Sequence, residues 1–473
     1  MMPARPDLAD VQGNILRGYR MTYVRHLILG VGNRRAVGDW LLDSTGRDPV
    51  GTHQITNAEP WDDKPTTCVN VGVTAAGLRA LGLSEETVAT FPTEFVAGMA
   101  ARSTRIGDIG ESDPKNWKSE WRDSDRVHLV VTVYSDTESS RDDETVNVLA
   151  AGRGRAFVEL GRADGMAFTD DKVHFGYRDN IAQPHFEGIC ETDRPDRQPL
   201  VEIGGALLGY PTPMENVIHE LPTPNVLGLN GAFSAFRVLE QRVEAFEDYL
   251  TTAADNIIAG DDADAVLPPG AERTWDPPMS RHHAMRELVA AKLLGRWRNG
   301  TPVELSPHSP TPLPSLERLN DFAYQEDPDG VRCPMASHIR RCNPRDARIV
   351  QRSTNHTRRI VRRGMPYGAP YDPLHPTPGE RGLLGAFICA SLIMQFESIQ
   401  YDWMNLGLLD PRITGTNDPV VGNNDPDFSS FSLPIDGGTV VLRGFTRFVV
   451  TRGGAYLFLP SISALRYLGN TAK

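Results

Sequence analysis

The chain has 473 residues, a mass of 52.1 kDa and a net charge of −12. That length exceeds one small core and predicts two domains or one enlarged α+β unit. The acidic balance argues against nucleic acid as a partner, since affinity there rests on neutralising phosphates. Five scattered cysteines suit reduced thiols better than a disulfide framework.

The start, Met1 to Asp10, shows no basic end followed by an apolar run, so no secretory signal is expected. The first strong signal is Tyr23–Val31, an apolar run that reads as a buried strand. Cys68 to Leu81 reads as a strand entering a helix through a Thr74 cap. Val127–Tyr134 is a further strand, and Thr145–Leu160 has a helical composition despite Gly152 and Gly154. Phe233–Thr251 places Phe236, Leu239, Val243, Phe246 and Leu250 at helical spacing. The restarting cadence predicts a boundary near 225, giving units 1–225 and 226–473.

Pro-, Asp-, Ser- and Gly-rich stretches at 255–279 and 302–316 read as long loop insertions. A strand at Gly382–Cys389 precedes a helix. The longest apolar stretch, Leu384–Met394, is about half of the ~20 residues a membrane helix needs, so no membrane partner and a cytoplasmic location are expected. At the end, Phe448–Thr451 and Ala455–Pro460 flank Arg452-Gly-Gly, the pattern of a tight hairpin.

Three segments carry candidate chemistry. In Phe175-Gly-Tyr-Arg-Asp-Asn-Ile-Ala-Gln-Pro184, Asp179 is either a turn-former or an acid–base group, with His174 and His185 as nearby partners. In Ser337–Arg345, His338 can be an ordinary histidine, an axial iron ligand or part of Cys333-x4-His338-x3-Cys342. The last falls short of a closed zinc site, which needs four ligands. From Arg340 to Arg363 there are nine arginines against one acid, Asp346, reversing the chain's overall charge. Arginine without lysine favours planar oxyanions, and few aromatics are interleaved for nucleic-acid stacking.

Taken together, these segments resemble the dye-decolourising peroxidases. Asp10–Tyr19, Gly204–Pro211, Gly295–Pro302, Gln395–Gln400 and Phe448–Leu465 share the likeness, which spans nearly the whole chain. The resemblance implies an α+β fold of two ferredoxin-like halves, antiparallel sheets with peripheral helices, and a haem pocket mainly in the second half. It implies one haem b per chain, with hydrogen peroxide and an organic electron donor as partners. By position, His338 matches the proximal iron ligand, Asp179 the distal acid of a Gly-x-x-Asp-Gly motif, and Arg362 the distal arginine. Glu397 matches a carboxylate bonded to that histidine, and Arg345 is a propionate candidate.

The implied activity is one-electron oxidation of dyes, phenols or a specific metabolite at the expense of peroxide. Tyr401 and Trp403 are candidate surface relays for bulky donors. One position departs from the motif: its second glycine is Asn180. Asn tolerates positive φ, so the backbone can be kept; a side chain over the distal side would instead attenuate turnover. That departure sustains a second reading, a haem-handling protein with little peroxidase turnover.

Overall fold

The computed structural model describes residues 5–46, 54–190, 198–214, 217–347 and 356–473. The apolar runs Tyr23–Val31 (β1), Thr67–Val73 (β2) and Leu129–Ser135 (β3) become strands buried along nearly their whole length. Helices Arg34–Ser44 (α1) and Glu138–Leu149 (α2) connect them, each opened by a side-chain cap from Asn33 or Thr137. The helix expected over Thr145–Leu160 is instead the end of α2 and the start of a strand, Phe157–Met166 (β4). Gly152 and Gly154, both at positive φ, end the helical run between them.

A second set repeats the plan. Ala232–Gln241 (β5) leads through Val243–Ala259 (α3) and Arg281–Leu294 (α4) to the short helix His338–Cys342 (α5). Val361–Tyr367 (β6) and Gly382–Cys389 (β7) follow, then a π-helix over Leu392–Trp403, then Val449–Leu459 (β8) and Ile462–Thr471 (α6). The helix expected over Phe233–Thr251 therefore splits at Arg242 into strand and helix. Ala232–Val238 is buried on both faces between β7 and β8, Ser234 and Arg237 included, so its sequence carries no alternation that separates strand from helix. The 255–279 insertion begins only after Ala259 and contains helical turns at Ala263–Val266 and Ala271–Thr274.

These eight strands form one sheet in the order β4-β1-β3-β2-β8-β5-β7-β6. Each half thus runs fourth, first, third, second, the order of a ferredoxin-like unit, with antiparallel neighbours throughout. A single bridge, Phe458 to Val73, joins the halves. The outer strands also approach each other: a Cβ on Gly165 in β4 would stand 3.0 Å from the Pro366 carbonyl oxygen in β6.

The closing hairpin is absent. Thr451, Gly453 and Gly454 lie inside the continuous strand β8, where the register against β5 slips between Thr451 and Gly453. The two glycines answer close approach rather than a turn. A Cβ at Gly453 would come within 2.2 Å of the Trp121 ring, and one at Gly454 within 2.5 Å of the Phe236 carbonyl oxygen.

One apolar core fills the sheet region, and a second packs α3 and α4 against Phe175, Tyr177, Trp297 and Trp403. No helix among the described residues is long and apolar enough to cross a membrane. All five cysteines are free, as expected of thiols.

Candidate active site

The loop carrying Asp179 comes from the first half of the chain but is pinned to the second. Phe175 and Tyr177 are buried in the α3–α4 core, the Tyr177 hydroxyl donates to the Ala290 carbonyl at 2.8 Å, and the Arg178 amide donates to the Arg298 carbonyl at 3.0 Å. Arg298 in turn donates to the Phe175 carbonyl. The Asp179 amide is held by the Asp171 carbonyl at 2.9 Å. Those ties point the carboxylate outward, where Oδ1 accepts from Arg362 Nη1 at 3.1 Å. Arg362 sits on β6, and its backbone is clasped from both sides by the Gln183 amide group. Its other terminal nitrogen donates to the Ala182 carbonyl.

Asp179, Arg362, Gln183 and Asn180 line one cavity of about 780 Å³, which extends past Arg363 to Tyr19 and Tyr134. The side chains of Asp179 and Arg362 remain 29% and 36% exposed, so both reach whatever enters it. Asn180 has φ +57, the left-handed backbone for which glycine would be the default. His174 turns elsewhere: its Nε2 lies 2.7 Å from the Tyr367 carbonyl oxygen, and burial lowers its pKa to about 4.

His338 opens α5. Its Nδ1 lies 2.9 Å from Asp418 Oδ2, and Asp418 is fully buried. The other oxygen, Oδ1, accepts from the amides of Val420 and Val421, both at 2.9 Å, which fixes the carboxylate in a tight turn. Burial works to lower the pKa of His338, but Cys342 and Asp418 outweigh it and hold the ring well above the ordinary histidine value. Asp418 behaves in the converse way: burial works to raise its pKa, while His338 and then Arg341 keep it below the usual carboxylate range. With Nδ1 engaged, Nε2 is the nitrogen left for a ligand; Cys342 Sγ lies 3.9 Å from it. An imidazole whose far nitrogen is held by a carboxylate is the arrangement of a metal-ligating histidine, so His338 is the residue that would hold haem iron.

Residues 10–167 match the family model described as the DyP dimeric alpha+beta barrel domain. Peroxidase 2 of Mycetinis scorodonius is 28% identical, over 97% of this chain and 87% of that protein. The multifunctional dye peroxidase DyP2 of an Amycolatopsis species is 27% identical, over 98% and 96%. A solved structure of a dye-decolorizing peroxidase in complex with 2,6-dimethoxyphenol superposes with a TM-score of 0.80 at 25% identity, covering 99% of this chain and all of that one. Over nearly its whole length the chain is similar to the dye-decolourising peroxidases, and residues 10–167 match that family's domain model.

Within that family fold, the expected carboxylate partner of His338 needs correction. Glu397 does not reach the ring: its two oxygens accept from Arg102 Nε and Nη2, both at 2.5 Å, and Oε1 also accepts from the Tyr456 hydroxyl at 2.8 Å. It is a buried tie between the π-helix and β8. The histidine's carboxylate is Asp418, which sequence reasoning missed. Local pattern hides it, because Gly-Thr-Asn-Asp-Pro419 reads as an ordinary turn and lies far along the chain from α5.

The arginine cluster also resolves mostly into structural ties. Arg340 pairs with Asp327 at 2.9 Å, and Arg341 donates to the carbonyls of Ala336, Trp403 and Thr416. Arg345, the propionate candidate, is buried; it donates to the carbonyls of Asn320 and Phe322 and stacks 3.7 Å above the Phe322 ring. It does not line the cavity of Asp179. Arg348 and Arg352 lie outside the described residues. Trp403, a proposed surface relay, is 1% exposed, and Tyr401 is half-buried.

Proposed function

We propose that the chain is a haem b peroxidase that consumes hydrogen peroxide and oxidises organic donors, dyes and phenols among them, in one-electron steps. The observation that supports it best is the Asp179–Arg362 contact at 3.1 Å on the wall of the cavity. A carboxylate alone in a turn does nothing; a carboxylate beside a fixed cation, both open to a cavity, can handle a proton and a developing negative charge together. His338 would hold the iron through Nε2 while Asp418 keeps the proton on Nδ1 and strengthens the donor nitrogen. Bound haem supplies the redox chemistry, which is the cofactor's own.

The chain's residues supply the rest. Asp179 takes a proton from entering peroxide and returns it to the outer oxygen; Arg362 stabilises the charge that gathers there as the O–O bond lengthens. Gln183 fixes the Arg362 backbone, so the guanidinium keeps its direction while its partner changes protonation. The left-handed Asn180 keeps the backbone that the motif glycine would give, so a haem-handling protein with little turnover would have to rest on the Asn180 side chain alone.

The test is an absorption spectrum of the purified protein before and after one equivalent of peroxide. The reading expects a Soret band that changes within seconds, and loss of stoichiometric haem in His338→Ala. A normal histidine-ligated ferric spectrum in His338→Ala would refute the assignment of the ligand.

A further inference from the structure

Among the described residues, one group of three potential metal donors falls together: His338, Cys342 and Asp418, whose ligand atoms all lie within 4.8 Å of one another. His338 and Cys342 share a face of α5 at i and i+4. Cys342 Sγ is 3.9 Å from Nδ1 of the ring, and Asp418 Oδ2 is 2.9 Å from the same nitrogen. Peroxidase chemistry gives Cys342 no task. We propose that the haem-free chain binds one divalent ion of the zinc class through His338 Nδ1, Cys342 Sγ and Asp418 Oδ2, and that this ion and haem exclude each other.

The dimensions suit that ion. Zinc bonds nitrogen and oxygen at ~2.0–2.2 Å and thiolate sulfur at about 2.3 Å, so tetrahedral ligands stand roughly 3.4–3.6 Å apart. The nitrogen–oxygen pair must open by about half an ångström and the sulfur close by a few tenths, within the reach of a Cys rotamer. Asp418 Oδ1 stays bound to the Val420 and Val421 amides, leaving Oδ2 as the ligand. Three protein donors leave a fourth position for water, the pattern of an open zinc site rather than the closed four-ligand site that the sequence lacks.

Exclusion follows from the proton count. Binding releases two protons to solvent, one from the Cys342 thiol and one from ring Nδ1, and the ring, ligated at Nδ1, keeps its other proton on Nε2. Nε2 is the nitrogen that haem iron requires, and protonated it has no lone pair to give. The two states therefore use opposite tautomers of one histidine. Haem loading of a zinc-filled chain waits for the ion to leave.

The experiment titrates full-length chain, produced without haem, with Co²⁺ alone as a spectroscopic stand-in for zinc. The expected result is a thiolate-to-cobalt charge-transfer band saturating at one equivalent, absent in Cys342→Ser. With Zn²⁺ held at ten times its dissociation constant, haem uptake by the unaltered chain slows about tenfold, and Cys342→Ser loses that slowing. No band, a band that survives Cys342→Ser, haem uptake indifferent to zinc, or a chain that folds only once haem arrives would each overturn the proposal. A cobalt band in a chain that never forms a Soret complex would instead sink the peroxidase reading and leave this site standing.

Discussion

The two candidate sites of the molecule are built on opposite principles. At Asp179 and Arg362 both charges are partly exposed, and the rigidity lies in the backbone: the Asp171 carbonyl, the Gln183 clasp and the Arg178 amide hold the chain while the side chains face a cavity. At His338 and Asp418 the rigidity lies in the side chains: a carboxylate with no exposure, locked by two amides, grips one ring nitrogen. A group that must gain and lose a proton during turnover needs solvent contact and a soft field. A group that must hold one tautomer needs a dry, fixed partner.

Substitutions can break this contrast, starting with the most exposed acid. Asp179→Asn should keep haem but slow the reaction with peroxide by ~10²–10⁴-fold, read by stopped-flow at the Soret band. Reaction at the unaltered rate would remove proton transfer from Asp179 altogether. Arg362→Leu should cost about 10²–10³-fold in the same measurement, because the charge on the departing oxygen loses its donor. A loss in Arg362→Leu exceeding that in Asp179→Asn would mean that charge stabilisation, not proton transfer, dominates.

On the other side the effect should be smaller and of another kind. Asp418→Asn should lower haem affinity or activity by roughly 10–100-fold and shift the reduction potential, since an amide grips Nδ1 less strongly than a carboxylate. An unchanged potential would show that the fixed partner only fills space. The smallest change expected is Asn180→Gly, which should alter stability by less than about 1 kcal/mol because the position already has a left-handed backbone. A several-fold faster peroxide reaction would place the Asn side chain over the distal side and mark an attenuated enzyme.

What the sequence made legible follows the range of the interaction. The α+β class and strands β1, β2, β3 and β7 were readable, as were the two motifs that bring Asp179 and Arg362 to one cavity, because each is a short segment with its own local logic. Asp418 was not, since its pairing with His338 exists only through tertiary packing and its neighbours look like a turn. Glu397 was misplaced for the same reason: a buried acid on a helix announces that it has a partner without saying which. The errors at Phe233–Thr251 and Arg452-Gly-Gly have another cause. A strand buried on both faces loses the alternation that identifies strands, and glycines demanded by Trp121 and Phe236 look like glycines demanded by a turn.

The segment from Phe175 to Asp179 belongs to one half by chain order and to the other by anchorage. Its phenol hydroxyl rests on the Ala290 carbonyl, and its backbone on Arg298. A gene fragment ending near residue 225 would carry the acid but, Asp171 apart, none of the groups that aim it, and a fragment starting there would carry the arginine without its counter-ion. The two repeats resemble each other in strand order, yet they are not interchangeable modules, because each carries only one member of the acid–arginine pair.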